Sequence, residues 1–215
     1  MTTDTARTSD TATTTHTATT TDNVIDPRPV YARAAEQAAA LIETVRPGRL
    51  EGPTPCTEFD VRTLLSHIVG GTLRIAQVGA GGDGLAVRPF VDGVPDDGWA
   101  AAYDEARSAV RRGWADDGRL DAAVRVPWGE APGRNALSGY VMECVAHTWD
   151  LWQALGRPGD LDPELAEFAL AVARLVLPEV ERGDDVPFAS AVPVPEGADA
   201  YARLAAWLGR RPLDG

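Results

Sequence analysis

Three residues in this chain have the types and spacing of a metal-ligand set. His67 lies in "LLSHIVGG", while Glu143 and His147 lie four apart in "ECVAHTWD", with Asp150 three residues further on. A glutamate and a histidine at i and i+4 project from one helix face. An imidazole from a facing helix then completes three nitrogen and oxygen donors and leaves an open position for water or substrate, as catalytic zinc sites require. The chain has three histidines. Of these only His16 lies outside the set, in the N-terminal tail. Each residue has an ordinary alternative when taken singly. A lone helical histidine is commonly a surface or satisfied core residue, and a Glu–His pair is commonly an exposed ion pair.

Two helices must position these donors. After "GPTPCTEFD", Thr57 is the expected N-cap and Asp60 the carboxylate of a capping box. Val61, Leu64, Leu65, Ile68, Thr72, Ile75 and Ala76 then form a stripe at helical spacing. A later helix, expected over about 134–156 and ending at Gly156, places Leu137, Val141, Cys144, Thr148, Leu151, Trp152 and Leu155 in one apolar stripe. At ~100° per residue, Glu143, His147 and Asp150 fall on a second stripe, rotated roughly 130° from the first. His67, Gly71 and Arg74 lie at nearly the same offset on their own helix. Gly70 and Gly71 each cost ~1 kcal/mol relative to alanine. They either clear space beside His67 or permit close helix packing.

The remaining elements complete an all-α fold. A first helix is expected in "IDPRPVYARAAEQAAALIETV", stopped by Pro47, and a third over about 96–116. The long connection "AGGDGLAVRPFVDGVPDD" is expected to carry the chain across one end of the bundle. "RLDAAVRVPWGEAPGR" has weak strand alternation and two turn signals, with Trp128 either at a pocket mouth or anchoring the turn. Asp162 caps a further helix with Pro163 at its first position, and a short last helix lies in "DAYARLAAWLGR". The expected architecture is a four-helix bundle with additional C-terminal helices and a short hairpin-like connection.

Composition narrows the function classes. A net charge of −12 and a pI of about 4.6 oppose binding to nucleic acid or to anionic membranes. No run of roughly 18 apolar residues occurs, so no membrane span is expected. Residues 1–22 are threonine-rich and lack the apolar stretch of a secretory signal, so they are expected to be a disordered tail before a single domain over 23–215. Two cysteines, Cys56 and Cys144, make no disulfide framework, and a cytoplasmic protein is expected. A homodimer is compatible with a bundle of this size.

"PTPCTEFDVRTLLSHIVGG" and "ECVAHTWDLWQALGRP" resemble the two signatures of the family typified by mycothiol-dependent maleylpyruvate isomerase, within the DinB/YfiT-like superfamily. "AVPVPEGADAYARLAAWLGR" resembles the C-terminal end of its actinobacterial relatives, so the likeness covers about residues 28–211. The resemblance implies a DinB-like four-helix bundle holding a divalent metal, typically zinc, on His67, Glu143 and His147. It also implies mycothiol or a similar low-molecular-weight thiol as co-substrate, bound at the open metal position and used against an electrophilic small molecule. The chain departs from maleylpyruvate isomerase in leaving only about 28 residues after Pro187, too few for that enzyme's further C-terminal domain. Maleylpyruvate itself is therefore not carried over.

Two charged residues beside the donors have candidate roles. Arg74 is placed to bind a substrate carboxylate through its planar fork, or is a surface charge. Asp150 is placed to orient a ligand imidazole or to pair with Arg74. Cys144 reads as a buried core thiol, and Cys56 as a packing residue. Three functions are compatible with these residues. They are a zinc-dependent thiol transferase or isomerase, a thiol-independent metal enzyme of specialised metabolism, and a non-catalytic metal-binding protein.

Overall fold

The computed structural model describes residues 25–177, 179, 182 and 188–213. The expectation of a disordered tail over 1–22 lies outside them. Four long helices form the bundle: α1 (Arg28–Ile42), α2 (Val61–Gly79), α3 (Trp99–Gly113) and α5 (Gly133–Ala154). A single turn, α4 (Gly118–Asp121), and a hairpin of β1 (Ala123–Val126) and β2 (Gly129–Pro132) connect α3 to α5. Helices α6 (Pro163–Val176) and α7 (Ala200–Trp207) follow, α6 packing on both α5 and α7. The architecture is the expected all-α bundle with a short hairpin. Among the described residues no helix is long and apolar enough to cross a membrane.

Helix α5 is the axis of the structure. It contacts α1, α2, α6 and α7, and both apolar clusters of the interior draw on it. Its residues are buried on nearly every side, as a helix surrounded by others must be. The second stripe of α5 therefore faces protein rather than solvent, with His147 and Asp150 both buried.

Several boundaries differ from expectation for local reasons. The cap of α2 is Asp60, whose Oδ1 accepts the Thr63 backbone N–H at 2.7 Å, and not Thr57, which lies in the turn before it. Helix α1 closes at Ile42, before Pro47, which instead opens a 3-10 turn over Pro47–Arg49. Helix α5 ends at Ala154. Gly156 then takes the left-handed conformation (φ 83°) that terminates helices, and Arg157 N–H bonds back to the Trp152 carbonyl. Asp162 does cap α6, with Pro163 at its first position.

The long glycine-rich connection does not cross an end of the bundle. It runs back alongside α2 and is stitched to it in reverse order. Arg74 donates to the Val87 carbonyl, His67 pairs with the Pro89 carbonyl, Ser66 exchanges hydrogen bonds with Val91, and Arg62 pairs with Asp96. The two glycines of α2 therefore do different things. A Cβ on Gly70 would come within 2.5 Å of the Pro89 and Phe90 backbone, whereas a Cβ on Gly71 would meet nothing within 4 Å.

This contrast predicts opposite signs for two adjacent substitutions. Gly70→Ala should destabilise the protein by about 1–3 kcal/mol, because backbone must move to admit the methyl group. Gly71→Ala should stabilise it by about 0.5–1 kcal/mol through helix propensity. Urea denaturation of the two variants beside the parent checks both.

Candidate functional site

The fold brings His67 of α2 together with Glu143 and His147 of α5. One donor atom from each lies within 4.8 Å of the others. The histidine rings are 4.9 Å apart and nearly perpendicular (82°). Each ring has its Nδ1 engaged elsewhere. His67 Nδ1 lies 3.1 Å from the Pro89 carbonyl oxygen, and His147 Nδ1 lies 3.1 Å from Asp150 Oδ2. Since both partners are acceptors, each Nδ1 is the donor, and in the neutral ring this leaves Nε2 with its lone pair. Two oriented imidazoles and a carboxylate are a donor set suited to a divalent metal, zinc in particular.

The aromatic surroundings reinforce this state. Phe59 and Phe90 pack on His67 with ring centroids at 5.4 and 5.1 Å, and Phe59 lies 6.5 Å from His147. Burial, followed by the proximity of His147, lowers the His67 pKa from 6.5 to about 3, so the ring is neutral across the physiological range. The other candidate metal donors are poorer. Burial pushes the Cys144 thiol up to about 11 and raises that of Cys56, so neither offers a thiolate at neutral pH.

Asp150 pairs with a residue that no helical spacing could have indicated. Its side chain is fully buried, and Arg210 Nε lies 3.3 Å from Oδ1 and 3.4 Å from Oδ2. Arg210 follows α7, is itself 10% exposed, and sits over the Phe188 ring at 5.6 Å. Asp150 thus pairs with Arg210 and His147, and not with Arg74, which the sequence offered as its alternative partner. Arg74 instead directs Nε and Nη2 to the Val87 carbonyl at 3.1 and 2.7 Å.

All three donors open on one cavity of about 430 Å³. Its walls include Arg74 and Tyr140 as well as Trp128 from the hairpin, and Cys56, Phe59, Phe188 and Arg210 as well. Gly71, which leaves space beside His67, lines it too. The cavity is apolar over most of its surface with a few charged groups, the usual character of a small-molecule site. Its charged lining is balanced, with Arg74 and Arg210 against Glu58 and Glu143.

Two measurements follow from these pairings. Removing one partner of a buried charge pair strands the other, so Asp150→Ala should destabilise the metal-free protein by about 3 kcal/mol in urea. Between pH 6.5 and about 3 the unfolded chain protonates His67 while the native state does not. Stability of the metal-free protein therefore falls as pH drops through that window, and His67→Gln should flatten the slope of urea midpoint against pH.

Comparison with known proteins identifies the family. The profile of the mycothiol maleylpyruvate isomerase N-terminal domain matches residues 31–152, a span that contains α2, α5 and all three donors. Two uncharacterised proteins, from two strains of Mycobacterium tuberculosis, are each 36% identical over 186 residues, covering 86% of this chain and 98% of theirs. No solved structure matches the chain. Over most of its described length, then, this protein belongs to the mycothiol maleylpyruvate isomerase N-terminal domain family.

Proposed function

We propose that this protein is a divalent-metal enzyme, with zinc as the metal, that activates a low-molecular-weight thiol such as mycothiol against an electrophilic small molecule. The observation that carries the reading is the convergence of His67, Glu143 and His147 within 4.8 Å on the wall of an open cavity. Structural zinc sites are closed by protein ligands, whereas an open flank suits a site that takes a reactant. Membership of a mycothiol-related family supports a thiol as that reactant.

A divalent cation held by these donors would deprotonate a coordinating thiol at neutral pH, supplying the nucleophile. Added to one carbon of an electrophilic C=C bond, such a sulfur would give an adduct that either rotates and expels the same thiol, a net cis–trans isomerisation, or takes up the thiol's proton at the neighbouring carbon and keeps the carbon–sulfur bond, a net S-transfer. The protein's own groups orient this chemistry. Asp150 and the Pro89 carbonyl fix the two imidazoles, so that Nε2 of each is presented to the cavity. Phe59 and Phe90 exclude water from the His67 side. Arg74, with two nitrogens held by Val87, presents the rest of its fork for a substrate carboxylate. A reduced thiol co-substrate is consistent with a cytoplasmic setting.

Purified protein should carry near-stoichiometric zinc. His67→Ala and His147→Ala should each lose at least about 100-fold in zinc affinity while circular dichroism stays helical. Asp150→Asn, which alters the hydrogen bond to the His147 imidazole, should lose about 10- to 100-fold. A folded parent that takes up no added zinc would overturn the ligand assignment. Turnover of an electrophile that persists without thiol would replace the thiol mechanism with Lewis-acid chemistry at the same site.

A further inference from the structure

Arg74 is half-buried in the cavity wall and pairs with no carboxylate among the described residues. Arg28, Arg107, Arg134 and Arg210 are similarly shielded, and each pairs with an aspartate or a glutamate. The Val87 carbonyl accepts from Nε and Nη2 of Arg74, which holds the guanidinium in one orientation. Nη1 is left over. It has no acceptor among the described residues, and it is not sealed off by protein. A partly desolvated cation with open N–H groups is a seat for an anionic group of a ligand.

The second feature is the indole of Trp128. It is 52% exposed on the wall of the same cavity, whereas the other five tryptophans are buried or pack against the core. Gly139 admits it against α5, since a Cβ there would lie 3.0 Å from Trp128 Cζ2, and the Tyr140 ring meets it in a T-shaped contact at 5.0 Å. The indole is thus fixed from the helix side and open elsewhere. Hairpin closure does not need it, because the strands pair through their backbones from Ala123–Pro132 to Val126–Gly129. An open indole face gains most from a flat apolar neighbour.

Both features lie on the same side of the metal donors. The C-terminus of α2 and the N-terminus of α5 approach one ring, that of Trp114, at Gly79 and Gly133. The two helices are therefore antiparallel. Arg74, seven residues beyond His67 and so ~10 Å along the axis, lies toward the same end as Gly139 and Tyr140, which precede Glu143. Gly71 falls between His67 and Arg74 on that face of α2 and leaves its space open. Gly84 joins the Arg74 stem to the hairpin, since a Cβ there would lie 3.5 Å from Arg74 Cγ and 3.1 Å from the Arg125 carbonyl oxygen of β1. The cavity thus runs outward from the donors to a cation and an indole, with Ile75 and Pro127 adding apolar wall.

We infer that this outer half of the cavity is the seat of the electrophilic substrate, and that it selects an aromatic carboxylate. The carboxylate accepts from Arg74 Nη1. The ring lies against the Trp128 indole, in the space that Gly71 leaves open. Trp128 is the specificity residue for the ring and Arg74 the one for the acid. The inference rests on the reading of an electrophilic substrate given above, which it deepens by naming the class.

Calorimetric titration of zinc-loaded protein with cinnamate and with crotonate, the same unsaturated acid with a methyl group in place of the ring, tests it. Cinnamate should bind the parent at least about 5-fold more tightly than crotonate. Trp128→Ala should weaken cinnamate about 5- to 10-fold and change crotonate by less than about twofold. Trp128→Phe should recover most of the loss, and thermal unfolding of both variants should match the parent. Arg74→Gln should weaken both acids about 10- to 100-fold. Equal affinity of the parent for the two acids, or equal weakening of both by Trp128→Ala, overturns the ring seat and leaves the metal and thiol reading standing. Unchanged affinity in Arg74→Gln places the carboxylate elsewhere, on the metal for example, and overturns the acid seat. A parent that takes up no zinc and still shows the expected pattern supports the subsite while overturning the metal reading.

Discussion

A carboxylate with no exposure to water has to be compensated inside the protein, and Asp150 sits in the C-terminal part of the most buried helix of this fold. One oxygen accepts the His147 Nδ1–H hydrogen bond, which sets the orientation of that ring. Arg210 supplies the opposing charge from the far end of the chain. Each consequence bears on the site. The histidine is aimed at the cavity, and the segment after α7 is tied to the bundle at the level of the metal donors. Phe188 and Arg210 become cavity wall as a result of that tie.

The connection between α2 and α3 plays the matching role on the other side. Its carbonyls at Val87 and Pro89 accept hydrogen bonds from Arg74 and His67, so a segment without regular structure orients two side chains of a helix. Gly70 is what permits the approach. The backbone contact there closes to a separation at which no Cβ fits, whereas at Gly71 the helix opens onto the cavity. Two neighbouring glycines thus serve close packing and open space, the two readings that composition left undecided.

Ion pairs elsewhere contribute less. Arg33 with Asp162 and Glu164, Arg88 with Asp92, and Arg203 with Glu167 are largely solvated, and such pairs are worth ~0–1 kcal/mol. The fold depends instead on the apolar surfaces that meet around α5. Its buried polar residues are His147 and Asp150 together with Thr54, Thr72, Thr148 and Gln153. Tyr140 and Trp128 extend the same wall outward through the hairpin, which links a minor β element to the helix that carries the donors.

The amino-acid sequence alone determined the number and type of the main helices and the pairing of Glu143 with His147 on one face. It also placed Asp150 a turn away. A helix has a fixed period, so residues three and four apart must be neighbours whatever surrounds them. Turn chemistry was legible for the same local reason at Asp162, Pro163 and the Pro-Trp-Gly hairpin, and misled at Thr57, where the nearer Asp60 caps the helix. Tertiary structure decided the rest. The Pro89 carbonyl under His67, the aromatic packing of Phe59 and Phe90, and Arg210 beside Asp150 all join segments with no shared period. Arg210 lies 60 residues from its carboxylate. Nothing in local spacing marks such a partner, because the requirement it meets, neutralising a buried charge, arises only once the chain has packed.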